Sequence, residues 1–380
     1  MPIAHRQAEL DWLRGLMLVL MTMTHLPTWY SAAMGQPFGY VSAAEGFVFL
    51  SGFLVGAVYT RVVREEGFAT MRRRVWRRAG VIYAAHAAVL LFLLFVVLPI
   101  AVARGAHPIT DLASFDLAHP VFALLAGLAL VYNPPLLDIL PMYVVFMLAA
   151  PFMIESGERH GWRAIGVASA LLWLGAQVGL GRDVYAMVTT HWPEVVPYRE
   201  TGAFSYFAWQ AVWTAGIWAG SRSLDGNPLP GLASRRTIGI AAVVALAFFA
   251  WRHLAGQVPS SPPIVDLLLD KWHLGALRIV DFAALVTLVL AVRPAIARIA
   301  ESSMVARMGR VSLTVFAAHA AICLVVLAFV ADPAPAHLSW RDTALLLATL
   351  AALYGVAWIA TEGRRAWPAL SAPPRADTGR

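Results

Sequence analysis

Asp11, Arg14 and His25 are ionisable side chains within the first apolar segment. At 100° per residue, Arg14 and His25 differ by about 20° around a helix axis and Asp11 and His25 by about 40°, so all three lie on one face. An imidazole at one end of such a stripe is a candidate general base, and charged groups at membrane depth are functional candidates wherever partners can be named. A structural reading stays open beside it, with Asp11 and Arg14 neutralising each other and His25 hydrogen-bonded at an interface. Glu45 follows Ser42 at capping-box spacing and also has two readings. It can accept from the Ser42 amide, or it can sit beside His25, orient the ring and stabilise the imidazolium.

Other polar groups are embedded in apolar sequence. Asp138 and Tyr143 open a later segment. Arg278 and Asp281 are an i,i+3 pair able to neutralise each other. Trp209, Gln210 and His319 are the kind of buried groups that more often satisfy a core than bind a ligand. Arg61, Arg64, Arg72, Arg73, Arg74, Arg77 and Arg78 make the most basic loop. That loop is either a topology and lipid-headgroup determinant or a seat for a polyanionic donor, whose phosphates guanidinium forks grip in pairs. Of 29 basic residues only Lys271 is a lysine, and it follows Asp270, which excludes a GxxxxGK[ST] phosphate loop. Cys323 is the single cysteine, and no Cys/His cluster or HExxH helix is present, so no metal site is expected.

These residues need a scaffold, and composition says which kind. With 59% apolar and 13% charged residues and a mean hydropathy of +0.67, the chain is expected to be an all-α, polytopic membrane protein. Apolar segments long enough to span occur at roughly 9–28, 43–62, 79–103, 136–154, 162–180, 203–221, 237–254, 274–292, 311–330 and 342–361. A shorter stretch at 117–132 reads as a half-length or re-entrant helix. With ten spans and both termini cytoplasmic, and with Arg61, Arg163 and Arg252 at span ends counted with their adjoining loops, 21 basic residues fall inside, 6 outside and 2 (Arg14 and Arg278) within spans, a strong positive-inside bias. Making 117–132 a full crossing would reverse that bias downstream.

Trp12, Trp29, Trp76, Trp162, Trp192 and Trp340 fall near span ends, as interfacial anchors do. Gly52 and Gly56 give a small-residue face suited to close helix packing. Residues 1–363 read as a single integral-membrane domain and 364–380 as a disordered cytoplasmic tail. The net charge of +7 follows from topology, and no nucleic-acid partner is indicated.

Several blocks then carry a likeness. Asp11-Trp12-Leu13-Arg14-Gly15-Leu16, His25 after ten intervening residues, and Ala44-Glu45-Gly46-Phe47-Val48-Phe49-Leu50-Ser51-Gly52-Phe53 resemble the opening of the OpgC family. That family is grouped with membrane acyltransferases of the acyltransferase-3 kind. Leu137-Asp138-Ile139-Leu140-Pro141-Met142-Tyr143, Phe207-Ala208-Trp209-Gln210, Leu274-Gly275-Ala276-Leu277-Arg278, and Gly309-Arg310-Val311-Ser312-Leu313 through His319 extend the likeness along nearly the whole chain.

The resemblance implies a bacterial inner-membrane enzyme, commonly of ten helices, that moves succinyl or a related acyl group from cytoplasmic acyl-CoA to osmoregulated periplasmic glucans. It marks Arg14 and His25 first, then Asp11, Glu45, Asp138 and Arg278. Acyl-CoA is then a donor substrate, with no permanently bound cofactor, and membrane lipids are the other partners. On that reading Arg72, Arg73, Arg74, Arg77 and Arg78 dock the CoA phosphates and the pantetheine arm passes Asp11 and Arg14. His25, oriented by Glu45, deprotonates a sugar hydroxyl. Asp138, Arg278, Trp209, Gln210 and His319 are the substrate-side candidates, with Arg278 clasping a dicarboxylic acyl group. A glycan or lipid transporter with buried charges along a pathway is the rival from another class, and a sensor without turnover is a third. Which acyl group, which sugar hydroxyl and which oligomeric state stay open.

Overall fold

The computed structural model describes residues 8–134, 136–191, 196–226, 234–256, 263–301, 303–330 and 337–370. Among them there is no strand. Ten long helices occupy the ten apolar segments: α1 (Ala8–His25), α2 (Ala43–Glu66), α3 (Phe68–Arg104), α4 (Ile139–His160), α5 (Arg163–Gln177), α6 (Tyr206–Ser223), α7 (Arg235–Ala255), α8 (Ala276–Ala300), α9 (Ser312–Phe329) and α10 (Trp340–Leu370). Seven of these are long and apolar enough to cross a membrane, or up to eight if α5 and the helix Leu180–Thr189, bent 82° from it, make one span. The chain is therefore a membrane protein. α1 is 18 residues long, with Glu9, Asp11 and Arg14 in its first half, and α5 is 15 residues long.

Several local features go beyond the sequence expectation. The arginine-rich loop is two helix ends joined at Gly67, whose φ of +84° favours glycine. α3 accordingly begins at Phe68, well ahead of 79. Within α3, a turn at Leu93–Val97 widens to π geometry just ahead of Pro99, because proline lacks an N–H and its ring crowds the carbonyl four residues back. The half-length segment consists of Ser114–Ala118 and Pro120–Leu128, and Tyr132 Oη donates to Asp116 to tie them. Helix α10 continues past 363 to Leu370. The remaining tail residues and Trp192 lie outside the described residues.

Two helix pairs touch through bare backbone. Gly52 and Gly56 of α2 face the Trp213 and Ile217 carbonyls of α6, and Gly216 and Gly220 of α6 face the Phe49 and Phe53 carbonyls in return. A Cβ at any of the four would overlap an oxygen, so the small-residue face is a packing seam. α1 meets the short helix Met304–Arg310 in the same way, where a Cβ at Gly15 would overlap the Val305 carbonyl and one at Gly309 the Asp11 carbonyl. Trp209 and Trp213 fill the middle of the core.

Candidate functional site

α1 and α9 run side by side in the same direction, so one face of α1 meets two parts of α9. Near the start, an Arg14 Nη donates to Ser312 Oγ. Near the other end, His25 Nδ1 lies 3.1 Å from His319 Nε2, with the rings stacked at 5.1 Å and 24°. His319 is fully buried and His25 half-buried.

The expected pairing of His25 with Glu45 is replaced by two other pairings. Ser42 closes the capping box, its N–H donating to Glu45 Oε2 at 3.0 Å and its hydroxyl at 2.5 Å. The other oxygen, Oε1, accepts from Arg278 Nη1 at 2.7 Å. Arg278 also donates through Nη1 to the Tyr40 carbonyl and through Nε to the Leu269 carbonyl at 3.1 Å. Both side chains are fully buried, and a desolvated pair survives only with its remaining bonds made. Arg278 is thus engaged by protein groups, a poor fit to the expectation that it clasps a substrate. Its i,i+3 neighbour Asp281 instead accepts from the Tyr40 N–H at 2.7 Å.

The segment 270–275, between Pro263–Leu269 and α8, completes this end. Its carbonyls are held from four sides. Trp209 Nε1 and the Ser205 N–H both donate to the Trp272 carbonyl, at 3.1 and 3.0 Å. Trp173 Nε1 donates to Leu274 at 2.9 Å and Gln177 Nε2 to His273 at 2.7 Å. So clamped, Leu274 tolerates a φ of +49°, strained for a leucine. Asp270 accepts from the Trp272 and His273 amides and pairs with His273 Nδ1 at 2.5 Å. Hydrogen bonding to Asp270 raises the His273 pKa. Burial works to raise that of Asp270, and the bonds from His273 and the amides overcome it.

The clamp delivers Lys271, which the sequence reading set aside. Its ammonium lies 4.8 Å from the Trp272 ring centroid and 5.9 Å from that of Phe204. Burial lowers its pKa; Glu45 and Asp138 raise it and Arg278 lowers it. The signal available in the sequence was rarity, a lone lysine in an arginine-rich chain.

Asp138 stands just ahead of α4. It accepts from the Ala203 amide and is within electrostatic reach of Lys271. Asn133 Nδ2 donates to the Thr201 carbonyl and to Tyr206 Oη at 3.2 Å. Gly202, at φ +111°, passes so close that a Cβ would stand 3.0 Å from Asn133 Nδ2. Alongside opens a cavity of about 760 Å³ whose lining includes Tyr185, Tyr198, Tyr206, Phe207, Trp272 and His273. Gln210 is turned elsewhere: its amide nitrogen donates to the Ser169 and Phe207 carbonyls and its oxygen accepts from Ser169 and Thr214. Trp209 acts on the site through the Trp272 carbonyl.

The opposite end of α1 is built of ion pairs. Arg293 reaches Glu9 at 2.7 Å, and Arg310 approaches buried Asp11 at 3.9 Å. On the neighbouring helix ends, Arg64 bridges Glu158 at 3.0 Å and Asp225 at 2.9 Å, and Arg74 holds Glu66 at 2.7 Å. Arg73 and Arg77 are exposed, and Arg72 and Arg78 are half-buried. This cluster is roughly 30 Å from Glu45 by the helical rise along α2.

The family model described as OpgC protein matches residues 6–365. The chain belongs to the OpgC family. Membership supports a glucan-modifying acyltransferase role in general terms. No curated protein and no solved structure matches this OpgC-family chain.

Proposed function

We propose that this chain is an inner-membrane O-acyltransferase that moves an acyl group, succinyl being the best candidate, from cytoplasmic acyl-CoA to a hydroxyl of a periplasmic glucan. The observation that carries the reading is the His25–His319 contact in an OpgC-family chain. Its topology is ten spans with both termini in the cytoplasm, which puts the arginine-rich helix ends inside and His25 toward the periplasm.

With the His25 Nδ1 proton donated to His319 Nε2, the His25 Nε2 lone pair is free to act as base. His319 then plays the orienting part. The hydroxyl oxygen attacks the thioester carbonyl as its proton passes to His25 Nε2. That attack forms the C–O bond; collapse of the tetrahedral intermediate re-forms the carbonyl and breaks the C–S bond, and the same proton goes to the leaving sulfur to give free CoA. Arg72, Arg73, Arg74, Arg77 and Arg78 take the donor phosphates at the cytoplasmic face. The aromatic cavity at Tyr198 and Trp272 receives the glucan.

Mass spectrometry of periplasmic glucans from cells with and without the chain tests this directly. Acyl-ester mass increments present only with the protein are the expected result; identical glucans in both cells overturn it.

A further inference from the structure

Among 29 basic residues Lys271 is the only lysine, and its setting is unlike that of the arginines. The ammonium is half-buried over two indole and phenyl faces. No hydrogen bond or ion pair joins it to another described residue, and it acts only through space, attracted by Glu45 and Asp138 and repelled by Arg278 and by any charge on His25. Aromatic faces hold a cation in place. They do not replace a counter-ion, and a partly desolvated ammonium gains from an anion that reaches it.

The segment that carries it is held by donors from Trp173, Gln177, Ser205 and Trp209, which is the support a binding group needs and a solvated lysine does not. Nearby Arg278 is already committed to Glu45 and two carbonyls. A substrate carrying its own carboxylate would enter a region already holding Glu45, Asp281 and Asp138, and Lys271, committed to no described residue, is available to receive it.

We infer that Lys271 is the cation of a carboxylate subsite beside His25, taking the free end of a dicarboxylic acyl group whose thioester end lies at the imidazole. The inference rests on the acyltransferase reading above and assigns its acyl selectivity to a residue outside the family blocks quoted earlier.

The test compares succinyl-CoA with butyryl-CoA, equal in chain length and differing in the carboxylate, using full-length protein in lipid nanodiscs with a periplasmic glucan extract. A charge-assisted hydrogen bond of ordinary strength corresponds to roughly 10–100-fold. The succinyl-to-butyryl ratio of kcat/KM should fall by that factor in Lys271→Met and only in part in Lys271→Arg. A ratio unchanged in Lys271→Met overturns the subsite, whatever happens to the absolute rates. Thermal shifts with each donor separate the two ideas. If the wild type transfers nothing, the enzyme reading fails. The subsite then stands only if succinyl-CoA stabilises the wild type more than butyryl-CoA and Lys271→Met erases the difference; equal stabilisation overturns it as well.

Discussion

The two ends of α1 carry the same stripe of polar residues and use it in opposite ways. At the Asp11 end, neighbouring protein covers the stripe: Gly309 lies on the Asp11 carbonyl, Arg310 approaches the carboxylate and Ser312 takes Arg14. At the His25 end, the stripe meets a second imidazole, within electrostatic reach of the Lys271 ammonium. One end is a packed joint, the other is where the proposed chemistry is placed. The lesson concerns periodicity, which says which residues share a face and nothing of what will lie against it.

The sharpest way to break the contrast is His25→Ala. Positioned proton transfer contributes about 10²–10⁴-fold, so glucan acylation should fall by that factor while the protein still inserts and purifies; a wild-type rate would end the general-base assignment. Next comes a comparison of ion pairs. Arg278→Leu strands the buried Glu45 carboxylate and should cost about 3–5 kcal/mol of stability, whereas Glu9→Gln, opposite a half-exposed Arg293, should cost about 0–1 kcal/mol. Thermal midpoints in one detergent decide it, and equal losses would show that the ends are not differently built. If Arg278 served selectivity, its loss would instead change the donor preference of whatever folded protein remained.

His319→Phe keeps a ring against His25 and removes the acceptor. A hydrogen bond to a group that becomes charged supports a drop of roughly 10–100-fold in kcat with KM little changed. An equal loss in Ser312→Ala, at the joint end, would count against a special role for the imidazole pair.

The smallest effect is one of pH on the Lys271 segment. The His273 pKa is raised, so its contribution is complete below the ordinary value of about 6.5 and fades as pH climbs through the higher folded value. The Asp270 pKa is lowered, so its contribution holds above about 3.9 and fades as pH falls through the lower folded value. The clamp is tightest between those limits. Amide exchange at Trp272 and His273, corrected for intrinsic pH dependence, should lose protection on the alkaline side. Flat protection from about pH 6 to 9 would refute it.

Much of the scaffold was legible because hydrophobic length and small-residue spacing act locally. The ten helices sit where apolar runs predicted, Gly52 and Gly56 form a seam, and Ser42 and Glu45 close the capping box. The site was legible residue by residue and not as pairs. His25 and His319 are 294 positions apart, and nothing in either neighbourhood announces the other. Glu45 illustrates the limit well, since its carboxylate has two oxygens and satisfied the cap and Arg278 together, leaving none for His25. Lys271 was visible only as an oddity of composition, because its setting depends on carbonyls held by tryptophans from α5 and α6.

The seam between α2 and α6 has a mechanical consequence. Two helices meeting backbone to backbone have no side chains between them to act as rollers, so they travel as one plank. Glu45 at one edge and the Trp209 brace at the other are thereby fixed to a common wall, on which α1 and α9 also rest through Met17 against Gly46 and Phe316 against Phe47.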